Sequence, residues 1–313
     1  MAFKMRILVT GGAGFIGSML IPELIKEGHE VTVLDTLTWG MQGLSVNFGK
    51  PGFDFVKGDV RNDKLISNLL EKKDVVVHLA ALVGYSLCES NKKQAIDVNV
   101  NGTRKIDNYL SDDQLLIYAS TGSVYGHVNG SSCTEETAPN PTSHYGITKL
   151  EGEKIFAERN NVVTLRFATA FGVSFRMRLD LLVNQFVYEA MKHKALVIYG
   201  KNYVRSVIHV QDIARSILFV IHNKENMCGQ TFNVGSSELT FTKEQIAQRI
   251  RKQIDCDLQF AGSNSDADGR NYRLSTQKIE ALGYRANVSL DQGIKELISA
   301  VNNFSIDKTY FNA

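Results

Sequence analysis

Tyr145 and Lys149 stand four residues apart in Tyr145-Gly146-Ile147-Thr148-Lys149, at what reads as the start of a helix. That spacing puts a phenol and an ammonium on one helical face. A cation beside a phenol favours the phenolate and draws its pKa down from about 10. Such a phenolate can take the proton of an alcohol while a hydride leaves the same carbon for an acceptor. A hydroxyl that hydrogen-bonds the developing oxyanion completes a site of this kind. The run Ser120-Thr121-Gly122-Ser123-Val124-Tyr125 offers one, at the end of the strand expected over Leu115–Ala119. By itself a Tyr-x-x-x-Lys is equally an amphipathic helix face. Its weight comes from lying downstream of that strand end, in one chain with a second motif.

The second motif is Gly11-Gly12-Ala13-Gly14-Phe15-Ile16-Gly17, directly after the apolar run Ile7-Leu8-Val9. Glycines at 11, 14 and 17 suit a tight strand-to-helix turn, a close approach of backbone to a pyrophosphate, and a helix packed tightly on its sheet. The helix N-terminus then offers N–H groups to the phosphates. Asp35 ends the next strand, Glu30–Leu34, about 20 residues further on, where a carboxylate accepts from the adenosine ribose hydroxyls. No Arg or Lys stands in Thr36-Leu37-Thr38, and a carboxylate repels a 2′-phosphate, so the reading is NAD over NADP. The hydride acceptor of the first motif is then a nicotinamide.

Positioning these groups takes an α/β frame. Strand-like and helix-like segments alternate through the first half: strands at Phe53–Val56, Val75–Leu79, Leu115–Ala119 and Val162–Phe167, with helices at Asp63–Glu71, Gln94–Leu110 and Ser143–Glu158. This rhythm specifies a Rossmann-type doubly wound parallel sheet, with a smaller C-terminal α/β substrate domain. The expected division is 1–172 with 206–234 for the dinucleotide-binding domain, and 173–205 with 235–313 for the substrate domain. Gly262–Arg270 reads as a polar loop. The net charge of +2 favours neither nucleic acid nor an anionic membrane as partner. Cys88, Cys133, Cys228 and Cys256 are scattered without metal-ligand spacing, which argues against a metal site or a disulfide framework. No apolar stretch approaches the roughly 18–20 residues that span a bilayer. A soluble, cytoplasmic protein is expected.

Together these motifs resemble the extended short-chain dehydrogenase/reductases of the NAD-dependent nucleotide-sugar epimerase/dehydratase family, from the glycine loop to Gly283-Tyr284. The resemblance implies that Gly11, Gly14, Phe15, Ile16 and Asp35 bind NAD, with Asp59 and Val60 against adenine. Leu79, Ala80 and Ala81 would line the nicotinamide side, and Asn99 would support the site. Tyr145 would be the base, Lys149 would bind the nicotinamide ribose and acidify Tyr145, and Thr121 would be the catalytic hydroxyl that also meets substrate. Arg205, in Arg205-Ser206-Val207-Ile208-His209-Val210-Gln211-Asp212, would contact the substrate pyrophosphate, with Arg270 a second candidate. Leu82–Cys88 and the segment Arg176–Asn184, with Arg176 and Arg178 as phosphate ligands or a solvated helix start, look like a subgroup that includes dehydrogenases of GDP-linked heptoses.

One departure narrows the expected chemistry. Sugar 4,6-dehydratases of the family carry an Asp-Glu pair after the catalytic Thr, and here those positions are Gly122 and Ser123. The resemblance then implies oxidation of a nucleotide-sugar at C4 followed by re-reduction, that is epimerisation. Net 4-dehydrogenation and a non-catalytic NAD-binding regulator are the alternatives. A homodimer through the helices Gln94–Leu110 and Ser143–Glu158 is also implied. His78 reads as a satisfied interior histidine, and His144 as pointing away from Tyr145. Cys88 is expected at the cleft, where a free thiol is commonly a small buried hydrophobe. Trp39 is expected to cover the adenine edge or to form an interface.

Overall fold

Continuous apolar runs such as Ile7-Leu8-Val9 and Val75-Val76-Val77 suit strands covered on both faces, and they form the middle of a seven-stranded sheet. The computed structural model describes residues 4–261, 270–303 and 308–312. From edge to edge the sheet runs Gln230–Val234, Val162–Phe167, Leu115–Thr121, Val75–His78, Arg6–Thr10, Glu30–Asp35, Phe53–Lys57. Every pairing in it is parallel. Strand order reverses between Arg6–Thr10 and Val75–His78, whose register sets Thr10 opposite His78. Ligands sit at the carboxyl ends of strands beside such a reversal, and both the glycine loop and Leu79-Ala80-Ala81 leave the sheet there.

The helices Gly17–Lys26 and Val210–His222 pack together on one face. The helices Asp63–Leu70 and Gly102–Tyr109 do so on the other, over a core that includes Leu8, Ile66, Ile106 and Tyr118. A further apolar core, with Phe171, Val187, Ile198, Val207, Ile246 and Leu297, lies outside the central sheet.

Among the described residues, three small sheets join segments whose pairing was not foreseen. Val204–His209 pairs with Thr169–Phe171 and Thr240–Thr242, Asp257–Phe260 with Ala195–Ile198, and Asn271–Leu274 with His127–Cys133. The helix expected over Gln94–Leu110 is also compound: Lys92–Ile96, a π-helical turn Asp97–Asn101, then Gly102–Tyr109, with Tyr85–Ser90 as a separate helix before it. Of the stretch expected as a polar loop, residues 262–269 lie outside the described residues.

Candidate active site

A cavity of about 850 Å³ opens at the carboxyl ends of the central strands. Gly11, Gly14, Phe15, Ile16 and Asp35 line one end of it, with Asp59, Val60, Leu79, Ala80 and Ala81 beside them. Gly11 has φ +73°, and a Cβ there would lie 2.6 Å from the Ala80 nitrogen, so the loop tolerates only glycine. A Cβ on Gly17 would come within 2.5 Å of the Gly12 Cα, which lets the helix start pack against its own loop. Asp35 accepts from the Ala13 N–H at 3.0 Å and the Leu37 N–H at 2.8 Å. Burial raises its pKa while those N–H groups work in the other direction. Asp59 is held at 2.7 Å by the Arg61 guanidinium, whose hydrogen bond lowers the carboxyl pKa.

Behind the loop His78 is interior, with both ring nitrogens bonded: Nδ1 to Thr10 Oγ1 at 2.7 Å and Nε2 to Thr103 Oγ1 at 3.0 Å. Thr103 spends its proton on the Asn99 carbonyl, so Nε2–H donates and Nδ1 accepts. Burial, with Lys149 adding to it, pushes His78 down to about 3 and keeps the ring neutral. Asn99 sits in the π turn, a distortion common at functional sites, and does not line the cavity. Its amide accepts from Leu82 N–H at 2.7 Å, and donates to Leu82 O and to Thr148 Oγ1, each at 3.0 Å. It thereby ties the loop after Ala81 to the helix that carries Tyr145.

That helix, His144–Ile155, is capped by Ser143, whose hydroxyl accepts from Gly146 N–H at 3.1 Å. Thr121, Tyr145 and Lys149 all line the cavity. The Lys149 ammonium lies 4.1 Å from the centre of the Tyr118 ring, and burial pulls its pKa down to about 7 against the raising effect of Glu153. Here the structure departs from the sequence expectation. Burial pushes the Tyr145 phenol up to about 12 and Cys88 adds to the rise, while the charges of Arg178 and Arg270 act against it. The reason is burial, which disfavours the charged phenolate. Beneath Lys149, Glu153 pairs with Arg166 at 2.6 Å and accepts from Ser120, while Arg166 also donates to Tyr125 Oη at 2.9 Å. This buried network pins the helix to two central strands, and no local sequence signal exposed it.

Thr121 accepts from Ser123 N–H at 3.2 Å and donates to Ser123 Oγ at 3.1 Å. Ser123 Oγ in turn accepts from the Arg270 guanidinium at 2.5 Å. Tyr272 covers Gly122 so closely that a Cβ there would meet the ring at 2.8 Å. Arg205 is fully buried, lines the cavity and donates to the carbonyls of Val204 and Arg270. Arg178 is paired with Asp180. Arg176, expected as a phosphate ligand or a solvated residue, is buried with its guanidinium 4.9 Å from the Trp39 ring. Cys88 is corrected: it is fully buried, donates to Leu82 O and does not line the cavity, and burial pushes its thiol up to about 12. His144 faces Lys92 O rather than the cavity. Tyr272 and Asn312 also line the cavity and had no motif to announce them.

Residues 7–235 match the model of the NAD dependent epimerase/dehydratase family. The chain belongs to that family. Among its relatives, a UDP-glucose 4-epimerase from Lactobacillus helveticus is 29% identical, the match covering 82% of this chain and 84% of the relative. A UDP-glucuronic acid 4-epimerase from Bacillus cereus, solved with UDP-glucuronic acid and NAD, superposes with a TM-score of 0.84 at 28% identity over 95% of this chain and 99% of the other. A dTDP-glucose 4,6-dehydratase from Streptomyces venezuelae, solved with NAD, gives a TM-score of 0.84 at 27% identity over 95% and 96%. NAD is the family's cofactor, and the residues here fit it: a glycine loop opening to a helix N-terminus, with Asp35 at the end of the next strand, around a cavity of sufficient size. No helix among the described residues is long and apolar enough to cross a membrane.

Proposed function

We propose that this family member oxidises a nucleotide-sugar at C4 and re-reduces it, acting as an epimerase. The observation that carries the reading is the surroundings of Thr121. Gly122 lies under Tyr272, and Ser123 is bonded to Arg270, so neither position supplies the acid and base that loss of water requires. The remaining groups suit hydride and proton transfer alone. The epimerases from Lactobacillus helveticus and Bacillus cereus, both acting at C4, support that choice.

Gly11, Gly14, Phe15, Ile16, Asp35, Asp59 and Val60 would hold the dinucleotide, with Leu79, Ala80 and Ala81 on its nicotinamide side and Lys149 on the ribose. Bound NAD supplies hydride uptake and return. The Tyr145 oxygen takes the C4 hydroxyl proton and gives it back, and Arg178 and Arg270 both favour its ionised form. The Thr121 hydroxyl hydrogen-bonds the sugar oxygen through both steps. Arg205, with Arg270, would meet the pyrophosphate of the substrate.

Incubation with UDP-, GDP-, dTDP- and CDP-sugars in heavy water, followed by NMR and mass spectrometry, tests the reading. Inversion at C4 without deuterium at C5 supports it. A 4-keto-6-deoxy product refutes it, and a released 4-ketone with accumulating NADH replaces it by net dehydrogenation. A homodimer is proposed through the helices Lys92–Ile96 and His144–Ile155, which are in contact and carry the exposed side chains of Ile96 and Ile147. Sedimentation of Ile147→Asp as a monomer, against a dimeric parent, tests that.

A further inference from the structure

Among the described residues Arg176 is a buried cation with no carboxylate in contact, Asp180 and Asp35 acting on it only at a distance. Its side chain is 4% exposed, and among the described residues it forms no ion pair. One guanidinium nitrogen, Nη2, donates to Asn312 Oδ1 at 2.6 Å, while Nε is buried with no partner. The guanidinium plane rests 4.9 Å from the Trp39 ring, and both residues line the cavity. A charge held this way is costly unless an anion completes it. Burial and the neighbouring Arg178 draw its pKa down to about 10, so it stays charged at neutral pH.

Its backbone fixes which anion it meets. The Arg176 N–H donates to Ser18 Oγ at 3.3 Å, and Ser174 Oγ donates to Phe15 O at 2.7 Å. A Cβ on Gly43 would touch the Arg176 Cβ at 3.2 Å. Arg176 is thus fastened to the first turn of the helix that follows the glycine loop, on the side of Trp39 and Asp35. Asn312 reaches it from the segment 308–312, which is anchored by Leu179 N–H donating to Tyr310 O at 2.7 Å and by Phe311 against Tyr188. The Asn312 amide also donates to Val83 O at 3.2 Å, so it spans from the loop after Ala81 to Arg176.

We propose that Arg176, backed by Trp39 and Asn312, is a clamp on the pyrophosphate of the bound dinucleotide, and that segment 308–312 helps retain the cofactor. The chemistry recognised is a diphosphate, and the position assigns it to NAD rather than to the nucleotide-sugar. This inference rests on NAD as cofactor and is independent of the C4 reaction.

Trp39 is the only tryptophan of the chain, so its fluorescence reports this site alone. NAD, ADP-ribose, adenosine and UDP are titrated into the parent enzyme and into Arg176→Ala, Arg176→Lys and Asn312→Ala, with calorimetry as the second readout. Arg176→Ala is expected to weaken NAD and ADP-ribose at least ten-fold, Arg176→Lys and Asn312→Ala at least three-fold, and adenosine less than two-fold in all three. Retained adenosine binding certifies a folded site, and Arg176→Lys carries the test if the alanine variant does not fold. Equal weakening of NAD and adenosine overturns the clamp. So does unchanged NAD binding with UDP weakened ten-fold, which would return Arg176 to the substrate. An Asn312→Ala protein that binds NAD as the parent does overturns the role of the segment.

Discussion

Replacing Glu153 by Gln isolates the cost of the polar network under the active site. Glu153 and Arg166 are both more than nine-tenths buried and paired at 2.6 Å, and Glu153 also accepts a hydrogen bond from the Ser120 hydroxyl. Burial works to lower the Arg166 pKa, and the hydrogen bond and charge of Glu153 outweigh it. Gln keeps the shape and leaves Arg166 charged in a dry site, a change that costs about 3–5 kcal/mol. Over 313 residues the usual unfolding entropy amounts to about 0.7 kcal/mol/K, so Tm falls by about 4–8 °C. Removing both partners in Glu153→Met/Arg166→Met returns most of this, to within about 2 kcal/mol of the parent, because no unpaired charge remains. Calorimetric and urea unfolding of the parent, Glu153→Gln, Glu153→Met, Arg166→Met and the double Met variant measure the loss and the cycle. A loss below about 1 kcal/mol for Glu153→Gln, or a double variant as unstable as the single, refutes the reasoning. Lys149 supplies an independent readout, since Glu153 raises its pKa and the Gln variant moves its titration below about 7.

Tyr145→Phe lowers turnover by about 10²- to 10⁴-fold while NAD binding by calorimetry stays intact, and undiminished turnover would remove the phenol from the mechanism. Lys149 has a folded-state pKa of about 7 against an ordinary 10.5. The unfolded chain therefore binds more protons between those values, and the destabilisation from this group is full below pH 7 and disappears as pH rises toward 10.5. Thermal unfolding from pH 7 to 10 checks this, because Lys149→Met should flatten that rise. Gly122→Asp forces the side chain into Tyr272, costs about 1–3 kcal/mol by thermal unfolding and yields no dehydrated sugar. Adding Tyr272→Ala relieves the strain, visible as non-additive Tm shifts.

The glycine loop, Asp35 and the Tyr145–Lys149 helix were legible because each is a local pattern read against one element. The central strands were legible too, as apolar runs between polar breaks. What stayed hidden depends on contacts between distant segments. Tyr272 over Gly122 and Arg270 on Ser123 join positions about 150 apart in the chain, and Asn312 meets Val83 across 229. The small sheets escaped because they pair segments far apart in the chain, outside the alternating rhythm that marks the central sheet. Spacing put Tyr145 and Lys149 on one face, but not the lean of Lys149 toward Tyr118, which depends on side-chain packing.

The widened turn at Asp97–Asn101 makes the chain count in this stretch matter more than its letters. Losing a single residue there would restore the ordinary winding of about 100° per residue and leave the preceding helix nearly in phase, because five residues of the wider turn cover about the same rotation as four of α-helix. Rewinding the same five residues as α-helix at constant length would instead turn Gln94, which borders the cavity, off it by roughly 100° and break the grip of the Asn99 amide on Leu82. The extra residue thus places the Asn99 amide between the loop after Ala81 and the Tyr145 helix while the flanking helices keep their phase.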